Sequence, residues 1–478
     1  MMGELIQINL AQESYQSRSS LLSSAKLYNM YAENTLATSP FKTPVLFNTP
    51  NPNFWLDLGI YNDIYGFIEM NNSLYVVCGL DLFKINANKV FIKVGTMATS
   101  PGIVQLTENG LQITILTSSG ISYYYDEVGN IFAEITDPNY FLASSVCTID
   151  GYTIFSRIES GQFFVSDLRD TTTYPATYIA TAEAVSDNII RLVAYNNQLY
   201  IFGSASVEIW QSVGAGDPPF QRINGAFFEE GIAAKDSVIV DSSGIYFLGK
   251  DGIFYNVSAY LPQRISTFGI EEIISKMSIT NNVVTLLYTQ SGHKFISWNF
   301  LSEQKTIVFD ITTQLWHERG SFNSSGSAQQ EWSCLFAINY NNQIITNGKA
   351  AGKLYFLDQN KYDEDDQEVL AEVITSLVFK EYNNFSINNL VLVVDSGVGL
   401  EYPNQGFNPK IMMAFSIDGG KTWTERSPQP IGKIGQYRQK INWANLGKSR
   451  EFIIRLRISD PVKRSILAAY VEITDGGI

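Results

Sequence analysis

Apolar and polar positions alternate along this chain in short runs broken by Asn, Gly and Ser, and one phrase keeps returning. At 192–210 it reads LVAYNNQLYIFGSASVEIW. The turns at Asn196-Asn197 and at 203–205 split it into three apolar runs, which predicts three antiparallel strands. Asn and Gly tolerate the positive φ of tight hairpin turns, while Val, Ile, Tyr, Phe and Trp suit a pleated, half-buried surface. The phrase recurs at 68–85 (IEMNNSLYVVCGLDLFKI), where Asn71-Asn72 and Leu74-Tyr75 match Asn196-Asn197 and Leu199-Tyr200, and more loosely at 238–255. Taking the first turn of each copy as a marker gives Asn71, Asn109, Asp150, Asn196, Ser243, Asn281 and Asn341, six steps averaging 45 residues.

That step is the size of a four-stranded propeller blade. A lone sheet leaves both faces wet, whereas radial stacking covers each face with the next sheet and closing the ring removes the edges. The chain is therefore predicted to be all-β, with a β-propeller over 53–360, seven blades by repeat count and six as the alternative. A pair of ordinary β-sandwiches has similar strand spacing but does not account for the shared wording. The interval from Asn281 to Asn341 is long, at 60 residues, and holds a polar insertion at 321–330. A short helix is predicted over 270–276, opened by Ser266-Thr267.

The flanks read differently. Residues 1–52 show little period and are expected to form an extended N-terminal arm, with a strand that closes the ring or reaches a neighbouring subunit. The acidic run DEDDQE, starting at Asp363, Glu364, Asp365 and Asp366, reads as a linker; it lacks the glycine and spaced ligands of a calcium loop. Beyond it Ile454, Leu456 and Ile458 alternate with Arg455, Arg457 and Ser459, giving one apolar and one basic face. Residues 361–478 are thus predicted to be an antiparallel β-sandwich with the acidic linker at its start.

Composition sharpens this picture. Aromatic residues make up 13% and charged residues 17%, which favours strands. The net charge of −14 argues against a protein that grips nucleic acid by neutralising phosphates. Residues 401–478 hold 12 Lys/Arg against 7 Asp/Glu, so the first 400 carry −19. Cys78, Cys147 and Cys334 form no CxxC pair and are expected as small core fillers. No secretory signal and no membrane span is expected, hence a soluble protein.

Candidate chemistry is sparse. His293 and His317 stand in no metal-binding spacing, and His317 is expected at the surface or in a loop. The stretch GAGDPPF at 214–220 leads into prolines, so it reads as a turn and not a phosphate loop. No GxSxG elbow occurs. No catalytic, cofactor-binding or metal residue is nominated, no cofactor is expected, and the chain is read as a non-enzyme. One motif is specific: Ser416-Ile417-Asp418-Gly419-Gly420-Lys421-Thr422-Trp423 fits the Asp-box pattern S-x-D-x-G-x-T-W. Ser416, Asp418, Gly420, Thr422 and Trp423 are expected to build a structural turn, the carboxylate accepting backbone N–H groups and the indole packing beneath. Because sialidases carry such boxes, a carbohydrate-binding or sialidase-like propeller is the alternative function. It would require clustered arginines and a Tyr/Glu pair, with Tyr125 or Tyr255 as the tyrosine. Asp363, Glu364, Asp365 and Asp366 on one side, and Arg455 and Arg457 on the other, are nominated as contacts to a neighbouring subunit or partner.

Several stretches together resemble the packaged-DNA stabilisation, or tail-hub and nozzle, proteins of short-tailed bacteriophages. They are Asn29-Met30-Tyr31-Ala32-Glu33, Thr49-Pro50, 203–210 leading into FQRINGAFFEEGI at 220–232, QRISTFGIE at 263–271, Trp316-His317-Glu318-Arg319, the Asp box, and Ser459-Asp460-Pro461-Val462-Lys463. Their order along nearly the whole chain carries the resemblance. Asn51 stands where related sequences tend to have Gly after Thr-Pro, so the turn there is expected to differ. The resemblance implies a virion tail protein, assembled in the host cytoplasm as a homo-oligomeric ring, a hexamer, below the portal and its adaptor. Such a ring extends the DNA channel without binding DNA specifically, retains the packaged genome until ejection, and anchors tail spikes or fibres and a needle or plug. It supplies no catalytic residue.

Overall fold

The computed structural model describes all residues except 1–3, 36–38, 42, 183–184, 186, 324–327, 381–382 and 476–478. Seven four-stranded antiparallel units follow one another, at 64–96, 105–134, 143–181, 189–228, 239–264, 283–319 and 337–358, the last completed by a strand from the N-terminal region. These are the seven blades of a β-propeller. The six N-terminal strands are β1 (Glu4–Ile8), β2 (Tyr15–Gln16), β3 (Ser24–Tyr28), β4 (Met30–Glu33), β5 (Val45–Asn48) and β6 (Asn51–Asp57). β6 pairs antiparallel with Lys353–Asp358, placing Leu56 opposite Leu354, and so supplies the outer strand of blade seven and closes the ring.

The turn chemistry explains why these segments fold as blades. Asn71-Asn72, Asn196-Asn197 and Asn341-Asn342 each place two consecutive residues at φ of 50–59°, the left-handed geometry of a tight hairpin turn, and Asp150-Gly151 does the same with a glycine second. In blade six the marker Asn281 is corrected. Asn281 precedes the first strand, Val283–Gln290, and the hairpin turn is Ser291-Gly292, at φ of 49° and 85°. With Ser291 as the marker, the last two intervals become 48 and 50 residues in place of 38 and 60. The insertion at 321–330 is a separate small hairpin, Ser321–Phe322 with Gln329–Gln330; 324–327 lie outside the described residues.

Stacking of the blades buries their second strands on both faces. Ser73–Cys78, Gln112–Leu116 and Gly244–Leu248 are buried at every position, which is why they read as continuous apolar runs. Between blades four and five, Tyr200, Phe202, Ile209, Ile245 and Phe247 form one cluster; between blades seven and one, Trp55, Leu74, Val76, Ile345 and Leu354 form another. All three cysteines are buried and free, and burial raises their thiols to about 12. The helix, α1 (Phe268–Ser275), follows blade five and is capped by Thr267, whose side chain accepts from the Ile270 amide.

The sandwich draws on both ends of the chain. One sheet runs β4, β5, Ser465–Asp475, Phe385–Val394, Ile441–Ser449, with β1 also paired to Ser465–Asp475. The other runs β3, Ala371–Ile374, Glu451–Ile458, Lys410–Ser416, Thr424–Pro430. Ile454, Leu456 and Ile458 enter a core shared with Leu27, Met30, Leu46, Leu390 and Trp443. β3 also pairs in parallel with Leu315–Arg319, the outer strand of blade six, so the second sheet runs without a break from the propeller into the sandwich.

Candidate functional surfaces

The most polar buried region is the seam where the N-terminal segment crosses between blade six and the sandwich. Asn29, at φ 54°, is its centre. Its amide NH2 donates to the carbonyls of Gly320 (3.0 Å) and Leu370 (2.9 Å), its side-chain oxygen accepts from the Gly320 amide (3.1 Å), and its own N–H donates to Glu318 O (2.9 Å). Beside it the guanidinium of fully buried Arg319 lies 3.5 Å from the ring centre of Trp332 and donates to Tyr288 Oη and the Pro50 carbonyl. A cation buried this way is held by the aromatic face, the Tyr288 hydroxyl and one carbonyl from the N-terminal segment.

Both histidines sit in blade six near this seam. His317, expected at the surface or in a loop, is 2% exposed, lying against Phe295 on a strand whose edge pairs with β3. Burial, with Arg319 adding to it, pushes its imidazole well below the ordinary value and keeps it neutral. His293 is also buried; its Nδ1 lies 2.7 Å from Asp310 Oδ2, and its Nε2 lies 3.8 Å from Glu33 of β4. Among the described residues no group of three or more His, Cys, Asp or Glu is arranged to hold a metal, and no helix is long and apolar enough to cross a membrane.

Along the propeller axis lies a cavity of about 540 Å³. Apolar side chains such as Phe67, Leu106, Val240, Leu287 and Phe336 line much of it, and the charged groups among the described residues of its wall are Arg191 and Asp236. These two pair at 3.0 Å. Gln105 extends the contact, donating to Asp236 and accepting from Ser145 Oγ at 2.9 Å, so blades two to five are tied to one another around the axis. One arginine already engaged by a carboxylate is not the arginine cluster a sialidase needs. Tyr125 donates to Asn130 and Tyr255 to Asp251, both away from this cavity.

The nominated contact residues are held within the molecule. Asp363–Glu364 and Gln367–Glu368 form a small hairpin turned by Asp365 and Asp366 at φ 49° and 62°. Glu364 is 2% exposed, and burial raises its carboxyl above the ordinary value. Asp363 pairs with Lys361 at 2.7 Å, and Asp365 accepts from Tyr355 of blade seven, while Asp366 lies at the exposed tip. Arg455 donates to Glu425 and stacks over Trp423 at 4.4 Å; Arg457 donates to Glu372, which also pairs with Lys26 of β3. Sequence alone does not show the Asn29 node or the Arg319 stack. Both depend on which strand covers blade six.

The Asp-box residues build one turn. Asp418 Oδ1 accepts from the amides of Lys421 (3.0 Å) and Thr422 (2.9 Å), its Oδ2 accepts from Thr422 Oγ1 (2.6 Å), and the Ser416 hydroxyl donates to it (2.7 Å) while accepting from the Gly420 amide (2.9 Å). Gly419 and Gly420 take φ of 71° and 86°. These donors hold the Asp418 carboxyl far below the usual carboxylate range. The turn sits at the end of the sandwich hairpin, against the Ser20-Leu21 loop.

Comparison with known proteins gives matches to two adjoining family models: residues 64–362 match the β-propeller of bacteriophage P22 Gp10, and residues 371–474 match its β-sandwich. No curated protein matches the chain. Similar solved structures include the computationally designed Ika8 protein, with a TM-score of 0.40 and 10% identity over 63% of this chain and 99% of that one. A chain of the Mitotic Checkpoint Complex has a TM-score of 0.42 and 13% identity over 68% and 95% of the two chains. The extracellular domain of a hybrid two component system from B. thetaiotaomicron has a TM-score of 0.43 and 8% identity over 64% and 39%.

Proposed function

The chain belongs to the bacteriophage P22 Gp10 family of structural phage stabilisation proteins, and from that membership we propose that it is a tail-hub component of a short-tailed phage virion, forming a ring below the portal and adaptor. The observation that carries this reading is the match of propeller and sandwich, in order, across nearly the whole chain. The function is mechanical. A ring of these subunits continues the DNA channel, retains the packaged genome and offers seats for spikes, fibres or a needle. The continuous sheet from blade six into the sandwich supports it, because a load on one part passes to the other through backbone hydrogen bonds.

The route of the DNA follows from size and charge. An axial cavity of about 540 Å³ crowded by Phe67, Leu287 and Phe336 has no room for a duplex, so the channel lies between copies and not along a propeller axis. A wall facing moving DNA should repel phosphates, and the −19 on the first 400 residues provides such a surface where it faces the lumen. The test is electron microscopy of the purified protein together with particles lacking it. Rings, and capsids that leak their genome, are the expected result. Genome-tight particles without the protein, a lumen lined with Lys and Arg, or turnover of a fluorogenic sialoside would overturn the reading.

A further inference from the structure

Two separate surfaces on this molecule are complementary in charge. The first is a knob at one end of the sandwich, where the loops 395–409 and 431–440 meet. It is tied together by backbone hydrogen bonds from Gly399 N to Gly432 O (3.2 Å) and from Leu400 N to Gly406 O (2.9 Å), and by the Lys433 ammonium over Phe407 at 4.4 Å. From this braced base Tyr402, Ile434 and Tyr437 project, 77%, 57% and 71% exposed. Lys410, Arg438 and Lys440 are exposed around them; the carboxylates of the two loops are Glu401 and Asp395, the latter paired with Lys463 at 2.8 Å, and Gln405 donates to neighbouring Glu368. Rigid tyrosines ringed by cations are the residue types that anchor protein interfaces, and bracing lowers the ordering cost of docking.

The second surface is blade two. Residues 97–150 contain six Asp or Glu and no Lys or Arg; Glu108 and Asp126 flank the turns at one end, where Glu127 is paired with Lys84 of blade one at 2.6 Å. The two turns on one face of this blade touch through a hydrogen bond from Glu127 N to Leu111 O, and there Leu111, Val128 and Ile131 are 43%, 85% and 50% exposed. In a closed ring of seven, blade two is three steps from blade six, which carries the sandwich, and that is the greatest separation the ring allows. The knob itself sits beside the small acidic hairpin on blade seven, Gln405 donating to Glu368 at 2.6 Å, two blades away from blade two.

We propose that the sandwich knob of one copy docks on the acidic, aliphatic face of blade two of the next copy. Two different patches make a head-to-tail contact, the kind that generates rings when the rotation closes. The acidic patch attracts the cations, and Leu111, Val128 and Ile131 offer apolar surface to the tyrosines. This rests on the ring assembly proposed above and names the surfaces that form it.

The test measures the assembly state of the full-length protein by native mass and light scattering over a range of concentration and salt. Arg438→Glu with Lys440→Glu, and separately Tyr402→Ser with Tyr437→Ser, should raise the half-assembly concentration by about 30-fold or more. Thermal melting of the single subunit should be unchanged, because all four side chains are exposed. Adding Glu108→Lys, beside the 109–111 turn of blade two, to the Arg438/Lys440 variant should restore assembly. If the wild type assembles and the knob variants do so equally well, or if the blade-two reversal fails to restore assembly, this contact is wrong while the ring stands. A wild-type chain that stays monomeric at every concentration and salt overturns the ring, and this contact with it.

Discussion

Asn29 shows how much one side chain decides here. Its amide closes three hydrogen bonds between blade six, the N-terminal crossing and the sandwich, and its backbone sits where L-residues other than Asn are disfavoured. Asn29→Ala leaves buried carbonyls without donors and strains φ, and should cost about 3 kcal/mol, read as a lower urea midpoint at unchanged slope. A loss near zero would show that water replaces the amide. Glu13 sits close by, and burial lifts its carboxyl to about 7 in spite of a hydrogen bond from the Trp316 backbone. The folded state therefore favours the protonated acid. Its contribution is fully present below the ordinary value near 4.5 and is lost as pH rises through about 7. The wild-type melting temperature should fall across that window relative to Glu13→Gln; parallel pH profiles would refute this. Neither residue is marked in the sequence. Asn29 could be seen only as part of a family phrase, and Glu13 lies in an aperiodic stretch whose burial is set by blade six, hundreds of residues away.

At the scale of single elements, the legible parts are those whose chemistry is local. Asn-Asn and Asp-Gly pairs report their turns because the left-handed region itself selects them, and four of the seven first turns carry one; Asn109-Gly110 and Ser243-Gly244 mark two more through their glycines. Blade six was misread because Asn281-Asn282 imitates the turn one strand too early, ahead of the true turn at Ser291-Gly292. His317 was misplaced for another reason. The outer strand of a blade normally has a wet face, but here Leu315 packs on the sandwich core and His317 lies against Phe295, while β3 pairs with the strand's edge. The Asp box is local, with its donors all within four residues of Asp418. Because the carboxylate is held far below its usual range, the folded turn prefers the ionised form. That preference is present above the ordinary carboxylate value and is lost only when strong acid protonates the folded group. Asp418→Ala should speed amide exchange at Lys421 and Thr422 at neutral pH by about tenfold or more, leaving blade amides unchanged. Equal exchange in the two proteins would mean that the glycines alone hold the turn.

For the whole molecule the decisive fact is that neither domain is made from one stretch of chain. The propeller needs β6 to complete blade seven, and the sandwich needs β1, β3, β4 and β5, which form part of both sheets and bury Leu27, Met30 and Leu46 in the core. A segment spanning only 371–474 would leave that core open and present sheet edges that invite aggregation. Local periodicity finds the strands at both ends of the chain, but it cannot reveal that they belong to one sheet, since strand pairing across more than 400 residues leaves no spacing to read. The N-terminal fifty residues therefore act as a strap through both domains, and the domains should not unfold separately. Calorimetry of the full chain should show one transition whose van't Hoff and calorimetric enthalpies agree. Residues 58–478 alone should be largely insoluble, and co-expression with residues 1–57 should recover soluble protein by supplying the missing strands in trans. Two resolved transitions in the intact chain, or a well-folded 58–478 fragment, would show that the strap decorates two self-sufficient domains. A single transition with rescue in trans would show that the strap makes them one mechanical body.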